Sequence, residues 1–382
     1  YWGVYLNQFF ELIGWNINTN IAIGSFNFDL APVIIVAFFT ALLVMGTKIG
    51  ARVDGALTIL KIAIVVFIVV VGFFYIKAEN FTPFIPPSEP AASTDGSGVS
   101  AVMEQPLWQW ATGMAPSIYG VTGIISGAAL VFFAFLGFDV VATASEETIN
   151  PKKNVPLGIG VGLGLIIVLY TLVAIVTTGM VSYKDLAKQS DPSLAVAFKM
   201  VGADWAAKII SLGIVIGMAT VVMVLLLGLT RVVFAMSRDG LLPRGLSHTG
   251  KHGTPVRLQI IVGVVMALIA ACCNVGILSD MVNIGTLSAF TLVAISIPIM
   301  RKKRPDLPRA FKMPGSPWIP ILIAVANFWL MLNLSVLTWI RFVVWLVVGF
   351  AIYFGYGYWH ARLGKGDLTE TLSAETDKAV NG

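Results

Sequence analysis

The sequence predicts an all-α polytopic membrane protein, and three observations carry that reading. Hydrophobic residues make up 57% of the 382 positions and charged residues only 12%, with a mean hydropathy of +0.86. Soluble domains carry about a quarter charged residues. The apolar residues are gathered into long continuous runs, the pattern of membrane spans. Lysine and arginine are concentrated in alternate connections between those runs, as the positive-inside rule requires. Together these features exclude a soluble enzyme and a nucleic-acid-binding protein.

Nine runs follow in order: 31–46, 55–76, 122–142, 157–181, 206–230, 258–277, 281–300, 317–338 and 342–360. The first is short. The others are long enough, at 1.5 Å per residue, to cross about 30 Å of hydrocarbon. Strands of a membrane barrel would be about ten residues long and would alternate in polarity. Continuous runs specify helices.

Basic residues orient these helices. With the N-terminal stretch outside, the inner connections hold eighteen of the 25 lysines and arginines. They are Lys48 and Arg52, Lys152 and Lys153, five within 231–257, six within 301–316 and three in the tail. Outer connections hold five, namely Lys77, Lys184, Lys188, Lys199 and Arg341, while Lys61 and Lys208 fall inside runs. The net charge of +5 therefore reports topology and not an acidic partner. The C-terminus is expected in the cytoplasm, with 364–382 a polar, disordered tail.

A chain that starts outside and opens Tyr1-Trp2-Gly3 without a signal pattern is expected to have lost an odd number of upstream helices. Tyr1, Trp2, Tyr5, Phe9, Phe10 and Trp15 read as an interfacial aromatic belt. Residues 1–17 are accordingly expected to be the remnant of such a helix, and 1–30 that remnant with its outer loop. Residues 78–121 carry six of the eighteen prolines and no basic residue, the composition of a long outer loop. Within it, Asn80-Phe81-Thr82 matches a glycosylation acceptor pattern whose chance frequency is high.

Some apparent signals reduce to simpler ones. Glycines 158, 160, 162 and 164 lack the spacing of a nucleotide-binding loop and read as small-residue helix packing. Cys272 and Cys273 are adjacent within a run, so neither a disulfide framework nor a paired metal motif exists. His248, His252 and His360 lie in inner loops or at a helix end, where a solvated role is the default. No span holds a nucleophile–base pair or a metal cluster, so no enzyme and no metal site are expected.

Two features carry chemistry. Residues 132–139 read Phe-Phe-Ala-Phe-Leu-Gly-Phe-Asp. Gly137 weakens a helix at this point, and free carbonyls at membrane depth persist only where they line a cavity. Such a break suits a zwitterion, because unwound carbonyls accept from its ammonium while half-helix N-termini attract its carboxylate. A continuous helix with Asp139 near the inner interface is the other reading, and the residues alone leave both open. Lys61 stands six residues beyond Gly55, roughly 9 Å into its helix. It either snorkels to the interface or is a buried amine able to load and release a proton.

The segment 132–139, with Glu146-Glu147 and Asn150-Pro151-Lys152-Lys153-Asn154-Val155-Pro156 behind it, resembles the sixth helix of the amino acid–polyamine–organocation superfamily, in its cationic amino acid transporter branch. Further matches follow in the family's order. Ala51-Arg52-Val53-Asp54 running to Lys61 resembles the fifth helix, and Arg231 to Pro243 the loop after the eighth. Val282-Asn283-Ile284-Gly285-Thr286-Leu287 resembles the tenth helix, and Arg301 to Pro314 the loop after it.

That resemblance, spanning essentially the whole chain, implies a leucine-transporter-type inverted-repeat fold in which the nine helices are family helices four to twelve of a single transmembrane transporter domain, 1–382. It implies a substrate site of Phe133 as aromatic gate, the backbone of Phe133, Ala134 and Leu136, Gly137 at the break, and Asp139. Lys61 would be the proton-coupling residue. Ala219-Thr220 offers one hydroxyl where sodium-coupled relatives have two.

The implied function is secondary active transport of an amino acid across the plasma (inner) membrane by alternating access, coupled to protons. The resemblance implies no cofactor beyond the coupling proton, and no partners beyond the amino acid and membrane lipid. Exchange without net proton movement, and a non-transporting sensor or subunit, are the alternatives. Asp139 favours a cationic substrate, while relatives with the same motifs carry neutral ones.

Overall fold

In the computed structural model, residues 2–361 are described apart from 16–18, 24–25, 46, 92–98, 116, 144–147, 190–191, 249–254, 274, 306–312 and 314. Helix α1 (Trp2–Leu12) is followed by a hairpin of β1 (Asn20–Ile23) and β2 (Phe26–Asp29), paired antiparallel. The Asp29 carboxylate accepts from Thr19 Oγ1 at 2.9 Å and from the Ala31 amide at 3.0 Å. It thereby caps α2 (Leu30–Met45), whose first amides have no partner within the helix. Helix α3 spans Thr47–Phe73.

The connection that follows holds β3 (Glu89–Pro90), α4 (Val99–Glu104), α5 (Leu107–Ala111) and β4 (Ser117–Ile118), with β3 and β4 antiparallel. Helix α6 (Gly120–Val131) passes through a 3-10 turn, Phe132–Phe135, before α7 (Phe138–Thr143). Helix α8 (Pro151–Met180) starts with Pro151 in its first turn after Asn150 at φ +51°. Proline is favoured there because its missing N–H is not needed. Short helices α9 (Tyr183–Ala187) and α10 (Leu194–Met200) come next, α10 capped by Ser193 Oγ, which accepts from the Val196 amide at 3.2 Å. The remaining helices are α11 (Asp204–Arg238), α12 (Val256–Cys272), α13 (Val275–Lys303), α14 (Trp318–Leu332), α15 (Val336–Ile352) and α16 (Tyr358–His360).

Each of the nine apolar runs contains helix. Among the described residues, six helices are long and apolar enough to cross a membrane. The short first run was expected, but α12 at 17 residues and α14 at 15 are also shorter than their runs implied. At 1.5 Å per residue, α14 covers only about 22 Å. Along α3 and α8 the large apolar side chains face outward, among them Ile59, Val66, Val70, Leu157, Val161 and Val168. A surface of that kind is covered by lipid and not by water.

The described residues form two compact units. The first comprises 1–18, 59–216 and 273–343. One of its cores gathers Ile68 of α3, Val176 and Met180 of α8, Ala197 and Phe198 of α10, and Ala206, Ala207 and Ile210 of α11. Close approach depends on two glycines. A Cβ on Gly72 would collide with Val176 Cγ1 and lie 2.9 Å from Met180 Sδ, and one on Gly213 would collide with Ile64. A second core joins Ala129 of α6 to Ile284 and Leu287 of α13, with Met331 and Leu334 at the end of α14. Helix α1 is tied in by Trp2 Nε1, which donates to the Val215 carbonyl at 2.9 Å.

The second unit comprises 19–58, 217–272 and 344–382. Here α2 packs on α12, burying Ala31, Ile35, Phe39 and Leu43 at a four-residue spacing against Leu258 and Val262. That spacing repeats one helical face. Gly263 admits Thr40, whose hydroxyl donates to the Val36 carbonyl at 2.7 Å. Gly240, at φ +84°, turns the chain after α11 in a place where a Cβ would strike the His360 carbonyl.

One sequence expectation is corrected. Glycines 158, 160, 162 and 164 have no atom within 4 Å of a Cβ position among the described residues, so they form no packing seam here. The close helix crossings use Gly72, Gly213 and Gly263 instead. The connection between α3 and α6 makes specific contacts that its composition does not indicate. The Leu107 amide donates to the Leu334 carbonyl at 3.0 Å, the Val336 amide to the Gln105 carbonyl at 3.1 Å, and Trp108 Nε1 to Asn333 Oδ1 at 2.8 Å. Gln109 is 0% exposed as a result.

Candidate functional site

The site expected at 133–137 lies where the α6–α7 span is interrupted. Helix α6 ends at Val131, tightens into the 3-10 turn, and passes through Leu136 in extended backbone (ψ 144°) to Gly137 at φ +114°. That last angle favours glycine, because other residues would bring Cβ against the backbone. Within the turn the Leu136 amide donates to the Phe133 carbonyl at 3.2 Å, and beyond it the Val140 amide donates to the Gly137 carbonyl at 3.1 Å. A carbonyl has two lone pairs, so one such bond leaves it able to accept another.

Two neighbouring helices grip this segment. Tyr170 of α8 donates its hydroxyl to the Ala134 carbonyl at 3.0 Å, and its ring meets that of Phe135 edge-on with centroids 5.3 Å apart. From α13, Asn283 Nδ2 donates to the Leu130 carbonyl at 3.1 Å. Phe290, two turns further along α13, packs against Phe132 at 6.1 Å and Phe138 at 5.1 Å, one ring on each side of the break. Tyr170 and Phe290 were not singled out by the sequence. A tyrosine or phenylalanine in an apolar run gives no local sign that it faces a carbonyl or ring on another helix.

Phe133 is partly buried, Ala134 exposed, and Leu136 and Gly137 partly buried. The side chain of Asp139 lies outside the described residues, as do Glu146 and Glu147. The break thus gathers Phe133, Ala134, Leu136 and Gly137 in one segment, framed by rings from α8 and α13.

Lys61 is partly buried on α3. Helix α3 begins eight residues before Gly55, but those residues, Thr47–Asp54, include the charged Lys48, Arg52 and Asp54, so depth is still counted from Gly55. Burial along the helix follows two stripes. Ile59, Ile62, Val66, Val70 and Phe73 are exposed, whereas Ile64, Ile68 and Gly72 face α8, α10 or α11. Lys61 precedes Ile64 by three residues and continues the packed stripe, since positions three and four apart share a face. In the second unit Thr220 is fully buried, its hydroxyl donating to the Gly217 carbonyl at 2.9 Å.

Beyond the end of α3, Asn80 of the glycosylation pattern is already committed. Its Nδ2 donates to the Gly179 carbonyl at 2.7 Å, which also accepts from the Lys77 amide at 2.9 Å. Nearby, Lys184 Nζ pairs with Glu89 Oε1 at 2.6 Å and sits 5.7 Å from the centre of the Tyr119 ring. The hydrogen bond to Glu89 holds the Lys184 ammonium above its ordinary pKa.

An apolar helical bundle with one span interrupted around a glycine, its carbonyls turned from the helical pattern, has the layout of a membrane transporter. The chain matches the amino acid permease family over residues 3–357, and it belongs to that family. It is 39% identical over 374 residues to a branched-chain amino acid permease, BcaP, of Bacillus subtilis (strain 168), covering 95% of this chain and 73% of that protein. It is 39% identical over 339 residues to the methylthioribose transporter of the same organism, covering 88% of this chain and 66% of that protein. The mitochondrial cationic amino acid transporter 3 of Arabidopsis thaliana is 34% identical over 274 residues, or 72% of this chain and 40% of its own length. These relatives are permeases and transporters, not enzymes.

Proposed function

We propose that the chain belongs to a secondary active amino acid permease that takes up its substrate with protons by alternating access across the plasma membrane, its C-terminus in the cytoplasm. The observation that carries this reading is the interrupted α6–α7 span, where the carbonyls from Phe133 to Leu136 leave the helical pattern inside an apolar protein. An ammonium donates to such carbonyls, and Gly137 keeps the break open. Phe133 is the aromatic gate of this reading, and Asp139 lies just past the break.

The proton site is Lys61. Its place on the packed stripe of α3 supports a desolvated amine over a snorkelling one, because a snorkelling lysine would use the exposed stripe. Desolvation disfavours the charged form, so such an amine releases its proton when its surroundings close and regains it when they open to water.

Among substrates, an apolar amino acid fits best. Phenylalanines 132, 135, 138 and 290 surround the break, and the branched-chain permease is similar over nearly the whole chain.

The test uses the full-length protein in proteoliposomes, with labelled leucine outside and a pH dye inside. An inward proton gradient should drive leucine accumulation with matching internal acidification, and Lys61→Ala should abolish both. Gradient-driven uptake that survives Lys61→Ala refutes the proton site. Uptake without acidification that requires internal amino acid identifies an exchanger. Arginine competing better than leucine reverses the substrate assignment.

A further inference from the structure

Asn283 occupies an unusual place for an amide. It is 1% exposed on α13. Its chain neighbour Ile284, and Leu287 one turn on, belong to the apolar core with Ala129, Met331 and Leu334. Its Oδ1 is buried without a hydrogen-bond partner. An unpaired buried acceptor costs free energy that an apolar side chain of similar volume avoids. Packing alone therefore favours leucine at this position, and the useful half of the side chain is its donor. Nδ2 donates to the Leu130 carbonyl at 3.1 Å.

Leu130 stands in the last turn of α6, two residues before the 3-10 turn. Its carbonyl accepts from the Phe132 amide as well as from Asn283 Nδ2, at a helix end where carbonyls lack the usual partner four residues on. Holding this one fixes where the α-helix gives way, and so fixes the directions of the carbonyls at Phe133, Ala134 and Leu136. The grip is reinforced on the same face of α13 by Phe290, whose ring touches Phe132 before the break and Phe138 after it.

We propose that Asn283 is a positioning residue for the ammonium-accepting carbonyls of the broken span. It pins the outer half-helix to α13 and touches no substrate itself. The inference rests on the permease reading above.

The test compares wild-type full-length protein with Asn283→Leu, and with Asn283→Ala in case the leucine variant does not fold. Leucine binding, competition by 4-methylpentanoate (leucine without its amine), and the melting temperature are measured for each. Removing donor and orphan acceptor together should leave the melting temperature of Asn283→Leu equal to or above that of the wild type. Leucine affinity should fall about tenfold, the scale of a hydrogen bond to a charged group. Preference for leucine over 4-methylpentanoate should shrink by a similar factor, because only the ammonium uses the displaced carbonyls. A lower melting temperature with unchanged affinity assigns Asn283 a purely structural role and overturns the proposal. Equal weakening toward both compounds also overturns it. A wild-type protein that binds no amino acid overturns the permease reading itself.

Discussion

Gly72→Ala places one methyl group in a tight helix crossing of the first unit. The added Cβ would collide with Val176 Cγ1, lie 2.9 Å from Met180 Sδ and 3.2 Å from Phe198 Cζ. Unstrained carbon contacts lie at about 3.5–4.0 Å. The Met180 thioether can swing away, but Val176 is β-branched and stiff at χ1, so α3 and α8 must separate. Overpacking of this kind costs about 1–3 kcal/mol. At roughly 2–4 °C per kcal/mol for a domain of this order, the melting temperature should drop by several degrees.

The control is Gly158→Ala on α8, where nothing lies within 4 Å of the new methyl. Alanine is the better helix former there by up to about 1 kcal/mol, so that variant should hold or gain stability. Thermal unfolding of the two purified proteins in one detergent measures the difference. Equal melting temperatures would refute the packing argument.

The connection between α3 and α6 supplies two further predictions. Asn80→Ala should cost about 1 kcal/mol through the lost bond to Gly179, and mass spectrometry of protein from a glycosylating host should find Asn80 unmodified; a glycan there would show that the amide is free. Glu89→Gln removes the negative charge of the acceptor that holds the Lys184 ammonium above its ordinary pKa, leaving only a weaker neutral oxygen to accept. A raised lysine pKa stabilises the fold fully below its ordinary value and loses that stabilisation as pH climbs through the folded value. The wild-type advantage over Glu89→Gln in melting temperature should therefore shrink at strongly alkaline pH, and an advantage that grew with pH would contradict the assignment.

Much of this architecture is legible in the residues, for a physical reason. Lipid requires long apolar helices, so hydrophobic runs and charge asymmetry mark them directly, whereas Gly137 among phenylalanines leaves a break and a continuous helix equally open without the family resemblance. Contacts between distant segments leave no such trace. Spacing alone made Gly158 to Gly164 look like a packing seam, yet which glycines meet a neighbour depends on helix rotation, which brings Gly72 and Gly213 into contact and not those four. Asn283 and Tyr170 are single polar residues whose partners lie 153 and 36 positions away. Proline-rich composition correctly indicated that 78–121 connects two spans, but it could not reveal that Trp108 would find Asn333.

That docking of the outer connection bears on where the protein can accept change. Loops ordinarily absorb insertions because their backbone groups bond to water. Between Gln105 and Leu107 the backbone instead bonds to the turn between α14 and α15, and Gln109 is sealed beneath. A tag, epitope or inserted residue here would break pairings with a segment more than 220 positions away. For an engineer seeking a handle on this connection, the stretch that looks permissive by composition is among the least so.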